Sequence, residues 1–142
     1  MVVDLGNGLY ASQDSRGEVI AGIENPHEPV GLRMTSSYGF LRRAAAALVH
    51  RIPALARVHV LRQWAGCYDV SPDSVPILGP APDVDNLVLC CGFSGHGFMT
   101  APMVTTALAE LVATGRSRFD LRPYRAARFA EGDLTPETMV IG

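Results

Sequence analysis

Two stretches of strand length, Gly8-Leu-Tyr-Ala-Ser12 and Glu18-Val-Ile-Ala-Gly-Ile23, flank Asp14-Ser-Arg-Gly17, a cluster of turn formers. This pattern predicts a β-hairpin over Leu9 to Ile23. Asn25-Pro-His-Glu-Pro29 then breaks any regular element, because its two prolines cannot continue one. Phe40, Leu41, Ala44, Leu48 and Ile52 recur at helical spacing, so Tyr38 to Ile52 reads as a helix capped by Ser36 or Ser37. Pro53 ends it or starts a short further turn. Val58 to Ala65 reads as a strand finishing at Trp64-Ala-Gly66, with Trp64 expected in the core.

The second half of the chain is organised around a glycine turn. Tyr68 to Pro80 is rich in proline and aspartate and predicts an extended, tightly turned loop, with Pro76–Gly79 as a short edge strand. Asp73 is expected to brace its own turn and Asp69 to be solvated. Asp83–Asn86 is a turn. Leu87-Val-Leu-Cys-Cys91 is a continuous apolar run, the pattern of a buried parallel strand, in which Cys90 and Cys91 act as small hydrophobes. Gly92-Phe-Ser-Gly-His-Gly97 follows as a turn, and Met99 to Thr114 as a helix with Met103, Ala107, Leu108 and Leu111 on one side. Gly115 is placed to stop that helix. The tail from Arg116 reads as polar and irregular, anchored by Phe119, Leu121, Tyr124 and Phe129, with its arginines solvated.

Composition narrows the chemistry. The 142 residues are 48% hydrophobic and 18% charged, with a formal charge of −2, which excludes both a disordered tail and a strongly basic nucleic-acid binder. No apolar run approaches the length of a membrane span, and the first residues carry no signal-peptide pattern. All twelve basic residues are arginine, so Schiff-base lysine chemistry and the phosphate-loop lysine are excluded. Cys67, Cys90 and Cys91 form neither a disulfide framework nor a Cys-x-x-Cys pair, which points to a reducing, cytoplasmic setting. His27, His50 and His59 lack metal-ligand spacing, so no metal site is expected.

The unit spanning residues 87–114 carries the chemical signal, and three readings of it compete. A dinucleotide fingerprint needs G-x-G-x-x-G, but Gly92, Gly95 and Gly97 stand in the reverse spacing, and no second parallel strand follows. A hydrolase elbow needs G-x-S-x-G and a later histidine; Ser94 is followed by Gly95-His96, and His96 is the last histidine in the chain. The third reading is a turn at which a cofactor approaches the backbone. Gly95 and Gly97 permit close contact, and the start of the following helix offers unpaired N–H groups and partial positive charge. That environment suits a ring carbonyl that gains negative charge on reduction, as a flavin pyrimidine does. A tight connection without a ligand is the alternative, and the residues alone leave these two open.

Trp64-Ala-Gly-Cys-Tyr-Asp-Val-Ser-Pro-Asp73, Pro76-Ile-Leu-Gly79 and Gly92-Phe-Ser-Gly-His-Gly-Phe-Met-Thr-Ala-Pro102 together resemble the C-terminal part of FAD-dependent amine oxidoreductases of the D-amino-acid oxidase superfamily, closest to sarcosine oxidase β subunits and their proline dehydrogenase relatives. Phe119-Asp-Leu-Arg-Pro-Tyr124, Arg128-Phe-Ala-Glu-Gly132 and the ending Val140-Ile-Gly142 agree, so the resemblance covers Leu9 to Gly142. It implies an α+β fold. Residues 1–66 would be a remnant of the substrate-binding sheet with one helix. Residues 67–142 would be the closing strand, glycine turn and helix of the FAD domain, with an irregular tail.

The resemblance also implies hydride transfer from the carbon next to an amine nitrogen to flavin, followed by imine hydrolysis, with a sarcosine-, glycine- or proline-like substrate. It carries cofactor contact over to Gly95, His96, Gly97, Phe98 and Met99, and the substrate side over to Tyr68 and His96. The departures are as informative. The family's G-x-G-x-x-G is absent, so the FAD site is incomplete in this chain, and an N-terminal half or other subunits are the expected partners. Met99 stands where some monomeric sarcosine oxidases have a lysine. Their flavin-linking cysteine aligns with Gly66, one position before Cys67, so FAD is expected to be non-covalent. Self-association through uncovered apolar surface is expected as well. A non-catalytic fragment or assembly subunit that keeps the fold is the alternative to an enzyme.

Overall fold

The computed structural model describes residues 1–23, 25 and 27–136. The chain forms two compact units, one of Met1–Cys67 and the other beginning at Tyr68.

The first unit is a three-stranded antiparallel sheet with one helix. β1 (Val2–Asp4) pairs with β2 (Leu9–Gln13), and β2 pairs with β3 (Val19–Gly22). The predicted hairpin is β2–β3, and its turn is fixed by Asp14, whose Oδ1 accepts the N–H groups of Arg16 (2.8 Å) and Glu18 (3.1 Å). The sequence reading lacks β1, because three residues carry too little periodicity to register. What returns β1 to β2 is a turn in which Gly8 N–H donates to Asp4 O, and Leu9 N–H to Asn7 Oδ1. Leu9, Ala11 and Ile23 are buried. Helix α1 (Tyr38–Arg51) packs on β2 and β3. Ser37 is its cap, accepting the Phe40 N–H at 3.1 Å, and Pro53 starts a 3-10 turn over Pro53–Arg57.

The strand expected over Val58 to Ala65 is not formed. Among the described residues no strand lies alongside to pair its backbone, and a β-prone sequence without a partner ladder stays irregular. Val58, Val60 and Leu61 are exposed, and Trp64 is 62% exposed rather than in the core.

In the second unit, β4 (Ile77–Pro80) and β5 (Val88–Cys91) form an antiparallel pair in the register Ile77↔Cys91. The apolar run of β5 is therefore not a buried parallel strand. The connection through residues 81–87 is too short for a parallel crossover, and Val88 and Cys90 are exposed while Leu89 and Cys91 are half-buried. Helix α2 (Gly97–Thr114) packs on β4 through Val104 and Ala107, opposite Leu78. Its buried stripe includes Val104 and leaves Met103 46% exposed, contrary to the expected face. Gly115 ends α2 in the left-handed conformation.

The tail is more ordered than its composition implies. A 3-10 turn at Arg122–Tyr124 packs on β4, and a four-residue helix, α3, covers Arg128–Glu131. Arg128 is 1% exposed, so the arginine-rich stretch is not a uniformly solvated face. The final Val140-Ile-Gly142 lies outside the described residues. No helix among the described residues is long and apolar enough to cross a membrane.

Candidate functional site

The glycine turn of the second unit is held from below by residues 69–75. Asp69 spans it: its carboxylate Oδ2 accepts the Gly92 N–H at 2.6 Å, and its carbonyl accepts the Ser94 N–H at 2.9 Å. Asp69 is thus an anchor of the turn and not merely solvated. Val70 and Phe93 form a single antiparallel bridge beside it. Ser94 is fully buried, with φ +51°. Its hydroxyl makes two long contacts, accepting from Ser71 N–H and donating to Gly92 O, each at 3.4 Å. A positive φ is shared with hydrolase elbows, but an enclosed hydroxyl turned on its own loop cannot attack a substrate.

Gly92 (φ +71°) sits so close to this base that a Cβ there would lie 3.0 Å from Ser71 Cβ. Gly95 (φ +97°) lies under the Tyr68 ring, with a virtual Cβ 3.1 Å from Tyr68 Cζ. Tyr68 and Gly95, predicted from separate segments, are therefore brought together. His96 N–H donates to Phe93 O (2.9 Å), closing the turn, and the His96 carbonyl accepts from both Thr100 N–H and Thr100 Oγ1.

Helix α2 opens at Gly97, with His96 as its cap residue, no side-chain cap bond and no acidic residue in its first turn. The first-turn amides of a helix have no partner within it, and here no side chain of this end supplies one. Phe98 (97% exposed) and Met99 stand out from the helix start, while His96 is half-buried. The result is a surface made of backbone N–H groups, bounded by the Tyr68 ring and two apolar side chains. It is suited to receive an electron-rich carbonyl edge. The apolar cavity of about 140 Å³ in the same unit is lined by Leu78, Met103, Val104, Ala107 and tail residues; it is separate from the turn.

The base of the turn also holds an arginine that the sequence predicts to be solvated. Asp73 does brace its loop, accepting Val75 N–H and Ser71 Oγ–H at 3.2 Å each. It also takes a bidentate pair from Arg128, Nε to Oδ2 at 2.7 Å and an Nη to Oδ1 at 2.8 Å. The Arg128 guanidinium, then the Val75 N–H, hold the Asp73 carboxyl down at about 2. Only the single arginine among five in residues 116–128 that sits two places before an alanine–glutamate–glycine helix end does this, and its composition gives no warning. Cys67 contacts Gly31 O through Sγ at 3.7 Å in the first unit. No group of His, Cys, Asp and Glu among the described residues is arranged to hold a metal ion.

A strand, a glycine turn and an uncapped helix start leave a backbone edge open to a ligand, and the comparisons with known proteins give the class of the chain, a flavin-dependent oxidoreductase. The chain belongs to the FAD dependent oxidoreductase family, whose profile matches residues 1–111. It is 33% identical over 121 residues to hydrogen cyanide synthase subunit HcnC of Pseudomonas protegens, covering 85% of this chain and 28% of that protein. It is 34% identical over 134 residues to sarcosine oxidase subunit beta of Rhodobacter capsulatus, covering 94% of this chain and 31% of that one. The crystal structure of L-proline dehydrogenase from P. horikoshii matches 95% of the chain with TM-score 0.88 and 37% identity, and the match covers 36% of that enzyme. The chain thus spans about a third of the length of these relatives, and the α+β fold expected from the sequence is the one observed.

Proposed function

We propose that this chain forms the C-terminal part of an FAD-dependent oxidoreductase that oxidises a small amine or amino acid of the sarcosine, glycine or proline type. The observation that carries the reading is the Tyr68 ring seated on Gly95 beside the uncapped start of α2. When bound, FAD supplies the hydride acceptor that converts the amine to an imine, which water then hydrolyses.

The residues present fit such a group. Gly95 and Gly97 carry no side chain, which lets the Tyr68 and Phe93 rings pack against them, and the N–H groups at Gly97, Phe98 and Met99 are aligned with the positive end of the helix dipole. Donors fixed in place before the reaction stabilise developing negative charge without reorganising, commonly by a few kcal/mol. Tyr68 and His96 line the substrate side. Met99 adds no charge, so the grip on a substrate carboxylate comes from elsewhere.

In this reading the adenine-dinucleotide end of FAD is held by sequence outside this chain, from an N-terminal half or another subunit. Two of the relatives are themselves named as subunits. The attachment is non-covalent.

The test is a titration of the purified, folded chain with FAD, followed by flavin fluorescence and visible absorbance. Saturable binding with a shifted flavin spectrum is expected, and Gly95→Ala should abolish it. A folded chain that leaves the flavin spectrum unaltered up to millimolar FAD overturns the claim that this part preforms the cofactor edge.

A further inference from the structure

We infer that Arg128 is a positioning residue for the glycine turn, acting from the tail through Asp73 and Ser71. The inference rests on the reading of that turn as the flavin-facing edge.

Arg128 lies beyond residue 111, where the match to the family profile ends. Nevertheless its guanidinium is buried and its donors are spent inward. Besides the bidentate pair to Asp73, it donates to Val75 O (2.7 Å), Tyr124 O (3.0 Å) and Arg125 O (3.1 Å), and it stacks over the Phe129 ring at 4.2 Å. This joins the tail to the loop beneath the turn. From Asp73 the connection continues to Ser71, whose single hydroxyl proton is shared between Asp73 Oδ1 (3.2 Å) and Val75 O (2.8 Å). Ser71 then meets the turn twice, through its N–H to Ser94 Oγ and through the close approach of its Cβ to Gly92.

The turn needs such a brace. Ser94 holds a left-handed φ that a residue with a side chain adopts only when its surroundings impose it. Its own hydroxyl contacts are long, at 3.4 Å, and the short bonds on the turn come from Asp69, to Ser94 N–H at 2.9 Å and to Gly92 N–H at 2.6 Å, so the loop of residues 69–75 supplies the constraint. Arg128 fixes that base, because a planar fork with five donors can satisfy a carboxylate and several carbonyls at once, which a lysine cannot. An exposed ion pair such as Arg122–Asp120 lacks any such connection.

The inference is tested by amide hydrogen exchange on the full chain without FAD. Arg128→Lys keeps the charge and removes the fork. The double variant Asp73→Asn/Arg128→Met removes both charges and guards against loss of folding from an unpaired buried ion. Opening of the Gly92, Ser94 and His96 amides should rise about 10- to 100-fold, the size expected for losing one or two charge-assisted bonds. The Val104 and Ala107 amides in α2 should keep their protection, and Arg122→Ala should alter none of these.

FAD titration of Arg128→Lys supplies the second readout, with at least tenfold weaker binding expected. Unaltered turn amides in either folded variant overturn the inference, as does equal loss of protection throughout the unit, which marks a purely structural pair. Faster turn exchange with unaltered FAD affinity also overturns it. If the unmodified chain fails to bind FAD, the claim that this part preforms the cofactor edge fails, and the exchange data still decide whether Arg128 holds the turn.

Discussion

Acid should weaken the second unit through Asp73, and the size of the effect can be worked from its surroundings. Asp73 is 4% exposed, and Arg128 is the main reason its carboxyl is held down from 3.8 to about 2. At about 1.4 kcal/mol per pH unit the difference is worth about 2 kcal/mol. Water at the rim of so small a unit screens part of it, leaving about 1–2 kcal/mol. The sign follows from proton counting. Above about pH 4 both folded and unfolded chains carry the carboxylate, and the full stabilisation is present. As the pH falls from about 4 towards 2, the unfolded chain binds a proton that the folded one refuses, so the stabilisation is lost across that window. The assay is urea unfolding at successive pH values, read from the Val104 and Ala107 amide signals, for the unmodified chain and for Asp73→Asn. The unmodified chain should lose about 1–2 kcal/mol more than the variant between pH 5 and 2. Glu110 and Asp120, whose carboxyls are also lowered by arginine partners, titrate in both proteins and cancel. The variant starts about 3–5 kcal/mol lower at neutral pH, because it leaves a buried guanidinium without its counter-charge. Should that prevent folding, the Asp73 carboxyl-carbon shift in the unmodified chain gives the same answer. Parallel unfolding curves, or a carboxyl midpoint near 4, would refute the reasoning.

Two further substitutions probe the cofactor edge and the first unit. Gly95→Ala forces a side chain into a φ of +97° against the Tyr68 ring; it should cost about 1–3 kcal/mol in urea unfolding and shift the Tyr68 ring signals, and an unmoved ring would show that the contact is not maintained. Ser37→Ala removes the cap on the Phe40 N–H and should destabilise α1 by about 1 kcal/mol, seen as faster exchange of the α1 amides with no change at Ala107.

Local chemistry was legible where short segments decide it. The Asp14–Gly17 turn, the Ser37 cap and the Gly115 stop each follow from one or two side chains acting on the adjacent backbone, so sequence sufficed. Helices α1 and α2 followed from their periodicity, whereas the four-residue α3 did not register. What failed depended on partners distant in the chain. Whether Val58–Ala65 is a strand depends on a neighbouring ladder, and none is present among the described residues. Whether β5 is parallel depends on what lies beside it, and a five-residue apolar run reads alike in either case. Arg128 was missed for the same reason: its partner Asp73 lies 55 positions away. The glycine turn was legible from its own residues, whereas Tyr68 became a candidate through family resemblance, since the contact between its ring and Gly95 has no local signature.

The candidate site places its constraint on the backbone rather than on reactive side chains. If the N–H groups at the start of α2 are the functional donors, almost any side chain satisfies them, and exposed Phe98 and Met99 at that end are no obstacle. An acidic residue there would cap the amides and compete with a ligand carbonyl, and the first turn has none. Selection then acts on whatever keeps the turn in its unusual conformation. That means glycine at 92 and 95, where φ is positive and a Cβ would be crowded, and the Asp69, Ser71 and Asp73 bonds beneath them. A search for catalytic acids or nucleophiles passes over such a site, because its polar side chains are turned inward to support the loop. The unpaired atoms are those that every residue carries.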